Sequence, residues 1–211
     1  MFTGLIEEIG KIDRIQQLGK GVEFSIGCSN ILEKIKIDDS VAVNGVCLTA
    51  TKINQNGFIA QAVDETIRKT TLKNLKINQE VNLETALTLQ KMLGGHLVLG
   101  HVDTIGTLIN ITKEDLGTLF QFQFDSRFSR YLVEVGSVAV DGVSLTLARL
   151  RDTDFTVSII PHSLQNTIFR NYKPGDEVNL EFDVIGKYVE RMLIKSSDNK
   201  NNLKEIIEKF W

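Results

Sequence analysis

The side chains able to do chemistry here gather in a phrase written twice. Residues 40–49 read SVAVNGVCLT and residues 137–146 read SVAVDGVSLT, identical at eight of ten positions. The two differences match Asn44 with Asp141 and Cys47 with Ser144. Cys47 and Thr49 lie two apart, as do Ser144 and Thr146, so on an extended chain each pair shares a face. A lone cysteine is more often a small buried hydrophobe, but a serine in the twin position points to a polar task. Ser40 and Ser137 open the two phrases, and Gly45 and Gly142 read as turn or bulge residues. His96, His101 and His162 with Cys28 and Cys47 raise the question of a metal. No H-x3-H or C-x2-C spacing exists, and His96 and His101, five apart, face opposite sides of a strand. No metal site is expected. In VNLEFDV (178–184) the apolar residues share one parity, and Glu181 and Asp183 share the other. That is the pattern of a solvated outer face. Yet the position matching Asp183 in the first copy is Ala86, so this carboxylate exists in one half only. Asp141 against Asn44 reads as a turn preference.

The elements that position these groups are also duplicated. At an offset of 96 or 97, GLIEEIG at 4–10 falls on GHVDTIG at 100–106, and VNLE at 81–84 on VNLE at 178–181. Glu65-Thr66-Ile67 falls on His162-Ser163-Leu164 in the same order. The period is too long for one solenoid unit, so each copy should be a domain. Period-two segments such as Phe120-Gln-Phe-Gln-Phe124 read as strands, separated by turn clusters such as Lys173-Pro-Gly-Asp176. Several short strands in about 95 residues suit a small closed barrel or a sandwich, and the duplication favours barrels, because closure hides the edges. Gln61–Thr66 and Ile159–Leu164 read as further matched strands. Ser29–Lys36 and Ser126–Val135 read as short helices, and Met92–Gly95 as the linker. Beyond the repeat, Tyr188, Val189, Met192 and Leu193 form an apolar helical stripe. A polar break at Ser196–Asn202 precedes a second stripe, Leu203, Ile206, Ile207 and Phe210. The tail either covers its own barrel or makes an oligomer contact.

Bulk composition narrows the partners. Hydrophobic residues make up 42% and charged residues 24%, ordinary for a globular chain able to fill a core. A net charge of −3 without a basic block predicts neither nucleic acid nor an anionic membrane surface as partner. No apolar run reaches the roughly 18 residues of a membrane span. The start, MFTG, lacks the pattern of a secretory signal. Two cysteines give no sign of an oxidising compartment. The expected location is cytoplasmic.

MFTGLIEEIG at the start, NGVCLT from position 44, GGHLVLGHVD at 94–103, DGVSLT from 141 and the tandem layout resemble the riboflavin synthase family. The resemblance covers residues 1–194. It implies an all-β fold of two tandem, similar six-stranded β-barrels plus a C-terminal α-helix. The expected domains are 1–96, 97–186 and a helical oligomerisation segment at 187–211. It implies dismutation of two 6,7-dimethyl-8-ribityllumazine molecules. A four-carbon unit passes from one to the other, giving riboflavin and 5-amino-6-ribitylamino-uracil without cofactor or metal. Each barrel binds one lumazine, and the working site forms between barrels of neighbouring subunits in a homotrimer joined by the C-terminal helix. Association with lumazine synthase is a further expectation.

Carried over by position, the resemblance implies catalytic roles for Ser40, Cys47, His101, Ser144, Thr146 and Asp183. It places substrate against Phe2, Thr3, Gly4, Leu5 and Ile6, against Leu48 and Thr49, and against Val63, Asp64, Glu65 and Thr66. In the second copy it does the same for Gly100 and Val102, for Leu145, and for Ile159, Ile160, Pro161, His162, Ser163 and Leu164. His101, in the second-copy equivalent of Gly4-Leu5, is expected at the second barrel's pocket; His96, beside the linker, is either functional or structural. Val135 stands where the resemblance implies a ligand-contacting lysine. Two identical substrates in opposite roles explain why the phrase is repeated and why its polar heads differ. The alternative is a non-catalytic lumazine- or flavin-binding protein of the same fold, which tends to lose site residues from one half. A flavin reductase would need a Gly-rich phosphate loop after a strand, and none is present. A duplicated structural barrel without ligand would leave the one-sided Asp183 unexplained.

Overall fold

The computed structural model describes residues 1–193. In the first repeat, β1 (Glu8–Leu18), β2 (Gly21–Gly27), β3 (Ser40–Val43), β4 (Val46–Asn54), β5 (Gly57–Ala62) and β6 (Glu80–Thr85) close a barrel in the order β1-β2-β5-β4-β3-β6. In the second, β7 (Thr104–Glu114), β8 (Gly117–Gln123), β9 (Ser137–Val140), β10 (Val143–Leu150), β11 (Asp154–Ile159) and β12 (Glu177–Phe182) close the same cycle. The ladders are antiparallel, and bulges recur at matched places, between Ile12 and Arg14 and between Leu108 and Asn110. Alternation supplies the interior. Val22, Phe24 and Ile26 of β2 point into an aliphatic first core, and Phe120 and Phe122 of β8 into a phenylalanine-rich second core. Closure satisfies every strand edge.

The repeated phrase is a hairpin rather than a single strand. Asn44 (φ 46°) and Gly45 (φ 74°), like Asp141 (φ 42°) and Gly142 (φ 80°), occupy the left-handed region, as a two-residue type I′ turn requires. The two turns meet tip to tip: a Cβ on Gly45 would stand 2.5 Å from the Gly142 nitrogen. An asparagine seam surrounds them. Asn82 donates its N–H to Asn44 Oδ1 (2.7 Å) and its Nδ2 to the Asp141 carbonyl (3.0 Å). Asn179 mirrors this on Asp141 Oδ1 (2.8 Å) and the Asn44 carbonyl (2.9 Å). Asn44 and Asp141 are therefore inter-barrel turn residues, nearly inaccessible at 3% and 2% exposure. Phe2, Ala42, Val98 and Ala139 form a small apolar cluster between the barrels.

Helical expectations shift. Gln61–Thr66 and Ile159–Leu164 leave the sheet after Ala62 and Ile159 and turn into α1 (Asp64–Lys69) and α2 (Pro161–Gln165). Asp64 and Glu65 in the first turn of α1 suit its positive end, and Pro161 opens α2. Ser29–Lys36 forms turns instead of a helix, and the Glu8 carboxylate anchors its start by accepting the Ser29 and Ile31 N–H groups (2.6 and 3.0 Å). Ser126–Tyr131 is a 3-10 helix, its first turn held by Asp125 on the Arg127 N–H (3.0 Å). A final helix, α3, occupies residues 184–193. Tyr188 (64%), Met192 (65%) and Leu193 (66%) on it are exposed, so the stripe does not cover its own barrel. The second stripe, Leu203 to Phe210, lies outside the described residues. No helix among the described residues is long and apolar enough to cross a membrane.

Candidate functional site

The segment ahead of each barrel crosses to the other. Phe2 and Val98 exchange backbone hydrogen bonds (2.7 and 3.1 Å). Beyond that bridge, Ser144 N–H donates to the Gly4 carbonyl (2.8 Å) and Cys47 N–H to the Gly100 carbonyl (2.9 Å). Ile6 packs on the second core and Val102 on the first. Placing His101 beside the second barrel from its position in the repeat is thus corrected: its backbone lies against Cys47 of the first. The matching segment, Thr3 to Ile6, lies against Ser144 of the second. Glycine is required at both crossings. Gly4 (φ +76°) and Gly100 (φ +79°) would place a Cβ 2.5 and 2.6 Å from the Cβ atoms of Ser144 and Cys47.

Alternation then assembles two twin faces. Ser40 pairs with Thr49, and Ala42 with Cys47, across β3 and β4; Ser137 pairs with Thr146, and Ala139 with Ser144, across β9 and β10. These side chains point away from the barrel interiors, while Leu48 and Leu145 between them point inward to the cores, as does Ile159. For those three, only backbone can reach the face. Val63, Asp64 and Glu65, and in the second repeat Ile160, Pro161 and His162, are exposed around the starts of α1 and α2, with Thr66, Ser163 and Leu164 half-buried. Glu65 is tied to Arg68 and Lys69.

Two clefts open beside these faces. One, of about 860 Å³, is lined by Ser40, Ile6, Ala86, Lys91 and Met92 among others. The other, of about 630 Å³, is lined by Ser137, Tyr131, Val133, Asp183 and Ile185 among others. Ser40 with Ala86 and Ser137 with Asp183 are repeat-related pairs, so the clefts are counterparts with different charged linings, Asp183 standing in the second where the first has Ala86 and Asp39 in the first where the second has Gly136. Asp183 also caps α3, accepting the Ile185 N–H at 2.9 Å. Val135 is 79% exposed and holds φ 60°, a strained conformation for a β-branched residue.

His96, left open by the sequence, joins the second face. Its Nδ1 lies 2.7 Å from Ser144 Oγ. The ring is 8% exposed, and its Nε2 has no hydrogen-bond partner among the described residues. Burial lowers its pKa, opposed by the Asp183 charge, so the imidazole is neutral near pH 7 and able to exchange a proton with the hydroxyl. Nothing in its spacing announced this, because the contact spans 48 residues. By contrast, burial beside Glu8 and Asp13 pushes the Cys28 thiol up to about 12, which leaves it inert as a nucleophile. Burial raises the Glu7 pKa, but Lys34, Lys91 and Thr85 outweigh that and hold its carboxyl at about 2, a fixed negative charge beside the first cleft. No cluster of metal-ligating side chains occurs among the described residues.

Two closed barrels with twinned outer faces define a duplicated ligand-binding module. The lumazine binding domain family matches the chain twice, at residues 3–86 and 99–183. Riboflavin synthase of Actinobacillus pleuropneumoniae is 42% identical over 205 residues, spanning 96% of this chain and 95% of its own. The Bacillus subtilis riboflavin synthase is 41% identical, with 95% and 93% covered, and that of Saccharomyces cerevisiae 36%, with 97% and 91%. The chain belongs to the riboflavin synthase family. The fold also matches crystal structures of LumP, bound to riboflavin (TM-score 0.80, 23% identity) and to 6,7-dimethyl-8-(1'-D-ribityl) lumazine (TM-score 0.78, 22%). Each match covers 86% of this chain and 99% of LumP.

Proposed function

We propose that the chain converts two molecules of 6,7-dimethyl-8-ribityllumazine into riboflavin and 5-amino-6-ribitylamino-uracil. The observation that carries this reading is the pair of repeat-related faces, alike in backbone and unlike in their polar heads. Two copies of one substrate need two similar pockets, and opposite roles as donor and acceptor need them to differ. Cys47 against Ser144 and Ala86 against Asp183 supply that difference. The transfer balances between two identical molecules, so it calls for no added cofactor.

The protein's tasks are alignment and proton movement. The C7 methyl of one lumazine is acidic because its carbanion delocalises into the ring; C7 of the other takes up a water or hydroxyl. Holding the two reactants together contributes on the order of 7–11 kcal/mol in favourable cases. Each well-placed acid or base adds about 10²–10⁴-fold. Ser144 with His96, Asp183 beside Ser137, and Cys47 beside Ser40, Thr49 and the His101 segment are the groups assigned to proton traffic. The crossing segments present main-chain groups to the two rings, and Thr66, Ser163 and their neighbours flank the ribityl chains. The domains proposed are 1–96, 97–186 and 187–211. The exposed stripe of α3 supports a homotrimer contact, which would bring the first barrel of one subunit to the second barrel of its neighbour; association with lumazine synthase and a cytoplasmic location belong to the same reading.

Incubation of the protein with the lumazine alone tests the proposal. Riboflavin forming without added cofactor supports it. Tight binding with the lumazine recovered unchanged overturns it in favour of a carrier or optical protein.

A further inference from the structure

Each barrel's last strand carries, four residues after a more exposed glutamate of the same parity, a second carboxylate at a matched position, Glu84 on β6 and Glu181 on β12. Strand parity assigns both to solvent, yet they are 1% and 4% exposed. What covers them is the crossing segment. Glu181 Oε1 accepts the Leu99 N–H (2.6 Å), and its Oε2 accepts those of Gly100 (2.9 Å) and His101 (3.0 Å). Glu84 Oε1 accepts the Thr3 N–H (2.7 Å) and hydroxyl (2.6 Å), and its Oε2 the Gly4 N–H (2.9 Å). Consecutive N–H groups converge on one anion where the backbone turns through the left-handed region, which Gly4 and Gly100 supply here. The same two glycines present their carbonyls to Ser144 and Cys47 on the opposite barrels. Each segment is therefore gripped by its own barrel while it walls the face of the other.

We propose that Glu181 and Glu84 are crossed positioning residues: Glu181 on the second barrel sets the His101 segment against Cys47 on the first, and Glu84 on the first sets the Thr3–Gly4 segment against Ser144 on the second. The role rests on the functional reading above, since it is for lumazine turnover that these walls matter. Neither carboxylate touches substrate in this scheme. Each acts through the amides it holds, and the barrels close through their own ladders without them. Lys187 and Asp103 complete the charged surroundings of Glu181, with Lys187 Nζ 2.6 Å from Asp103 Oδ2. Lys91 does so for Glu84, at 3.0 Å.

The test uses the full chain with Glu181→Gln and Glu84→Gln, each of which replaces one acceptor oxygen by a donor facing an N–H. Misplacing a wall by about 1 Å is expected to lower kcat/KM on the order of 10²-fold, with unchanged far-ultraviolet circular dichroism. The crossed signature is local. Glu181→Gln should speed alkylation of Cys47 roughly tenfold by loosening its cover, whereas Glu84→Gln should leave that rate alone. Amide exchange at 99–101 should accelerate in Glu181→Gln while the β7–β12 ladders stay protected. Unchanged alkylation and exchange in Glu181→Gln, or loss of protection spread over the whole second barrel, would overturn the proposal. So would amides 99–101 of the wild type exchanging as freely as an open loop, a result available even if the variants do not fold. Absence of riboflavin from the wild type would instead count against the functional reading, and the alkylation and exchange results would still judge the clamps.

Discussion

Asp141→Asn converts the second half of the inter-barrel seam into the form the first half already has. In the first repeat the equivalent residue is Asn44, and Leu75 stands where the second has Tyr172. Asp141 is 2% exposed, takes the Asn179 N–H at 2.8 Å and accepts the Tyr172 hydroxyl. Burial outweighs those two donors and raises its pKa from 3.8 to about 7. The folded chain therefore holds a proton that the unfolded chain has released. The associated stability is complete below pH 3.8 and is lost as pH rises through about 7. At about 1.4 kcal/mol per pH unit, the wild type loses about 3 kcal/mol relative to the variant between pH 5 and pH 7. In a chain of this size that corresponds to roughly 6–12 °C of Tm. Thermal unfolding of both proteins at pH 5, 6, 7 and 8 gives the comparison. Glu181, whose pKa burial also lifts to about 7, is common to both proteins and cancels in the difference. Parallel pH slopes would refute the reasoning and show that Asp141 is already ionised throughout the range.

Four further outcomes follow from the same geometry. Gly4→Ala introduces a Cβ 2.5 Å from that of Ser144 at φ +76°; it should cost about 1–3 kcal/mol in a urea titration and most of the turnover. Phe2→Ala empties a fully buried position between the barrels and should cost about 3–5 kcal/mol by the same titration. His96 is buried with a lowered pKa, so its contribution to stability is present above the ordinary histidine range near 6.5 and lost as pH falls through the lowered value. Compared with the wild type, His96→Gln should accordingly have its denaturant midpoint at pH 5 raised relative to that at pH 8, the opposite contributions of Asp141 and Glu181 being common to both proteins. Asp183→Ala should lower turnover more than lumazine binding, beside about 1 kcal/mol for the lost cap on α3; equal loss of turnover and affinity would remove Asp183 from the chemistry.

Much of the barrel was legible because its causes are local. Period-two alternation and the repeated Asn-Gly and Asp-Gly turns encode strands and hairpins directly, and the duplication then forces two copies of whatever one copy forms. The short α1 and α2 were missed because five or six residues are too few to show an apolar stripe; Pro161 was the available signal. The crossing of the 2–6 and 98–102 segments was not legible. Repeat alignment tells which residues correspond, not which barrel they dock on, and that choice is set by the Phe2–Val98 bridge and the two glycine approaches. Parity misled at Glu84 and Glu181 for a related reason. An outward-facing carboxylate on a strand is solvated unless another segment covers it, and the covering segment lies about 80 residues away. The twin glutamates in the two VNLE repeats were the trace that could have raised the question.

The central claim is that one chain uses two similar pockets to set one lumazine against another. Its most direct test is a mass balance. Purified protein is incubated with 6,7-dimethyl-8-ribityllumazine as the sole organic substrate, and all three compounds are quantified over time by chromatography. The account predicts one riboflavin and one 5-amino-6-ribitylamino-uracil for every two lumazines consumed. Lumazine bound and returned unchanged, or riboflavin formed without the pyrimidine, would contradict it.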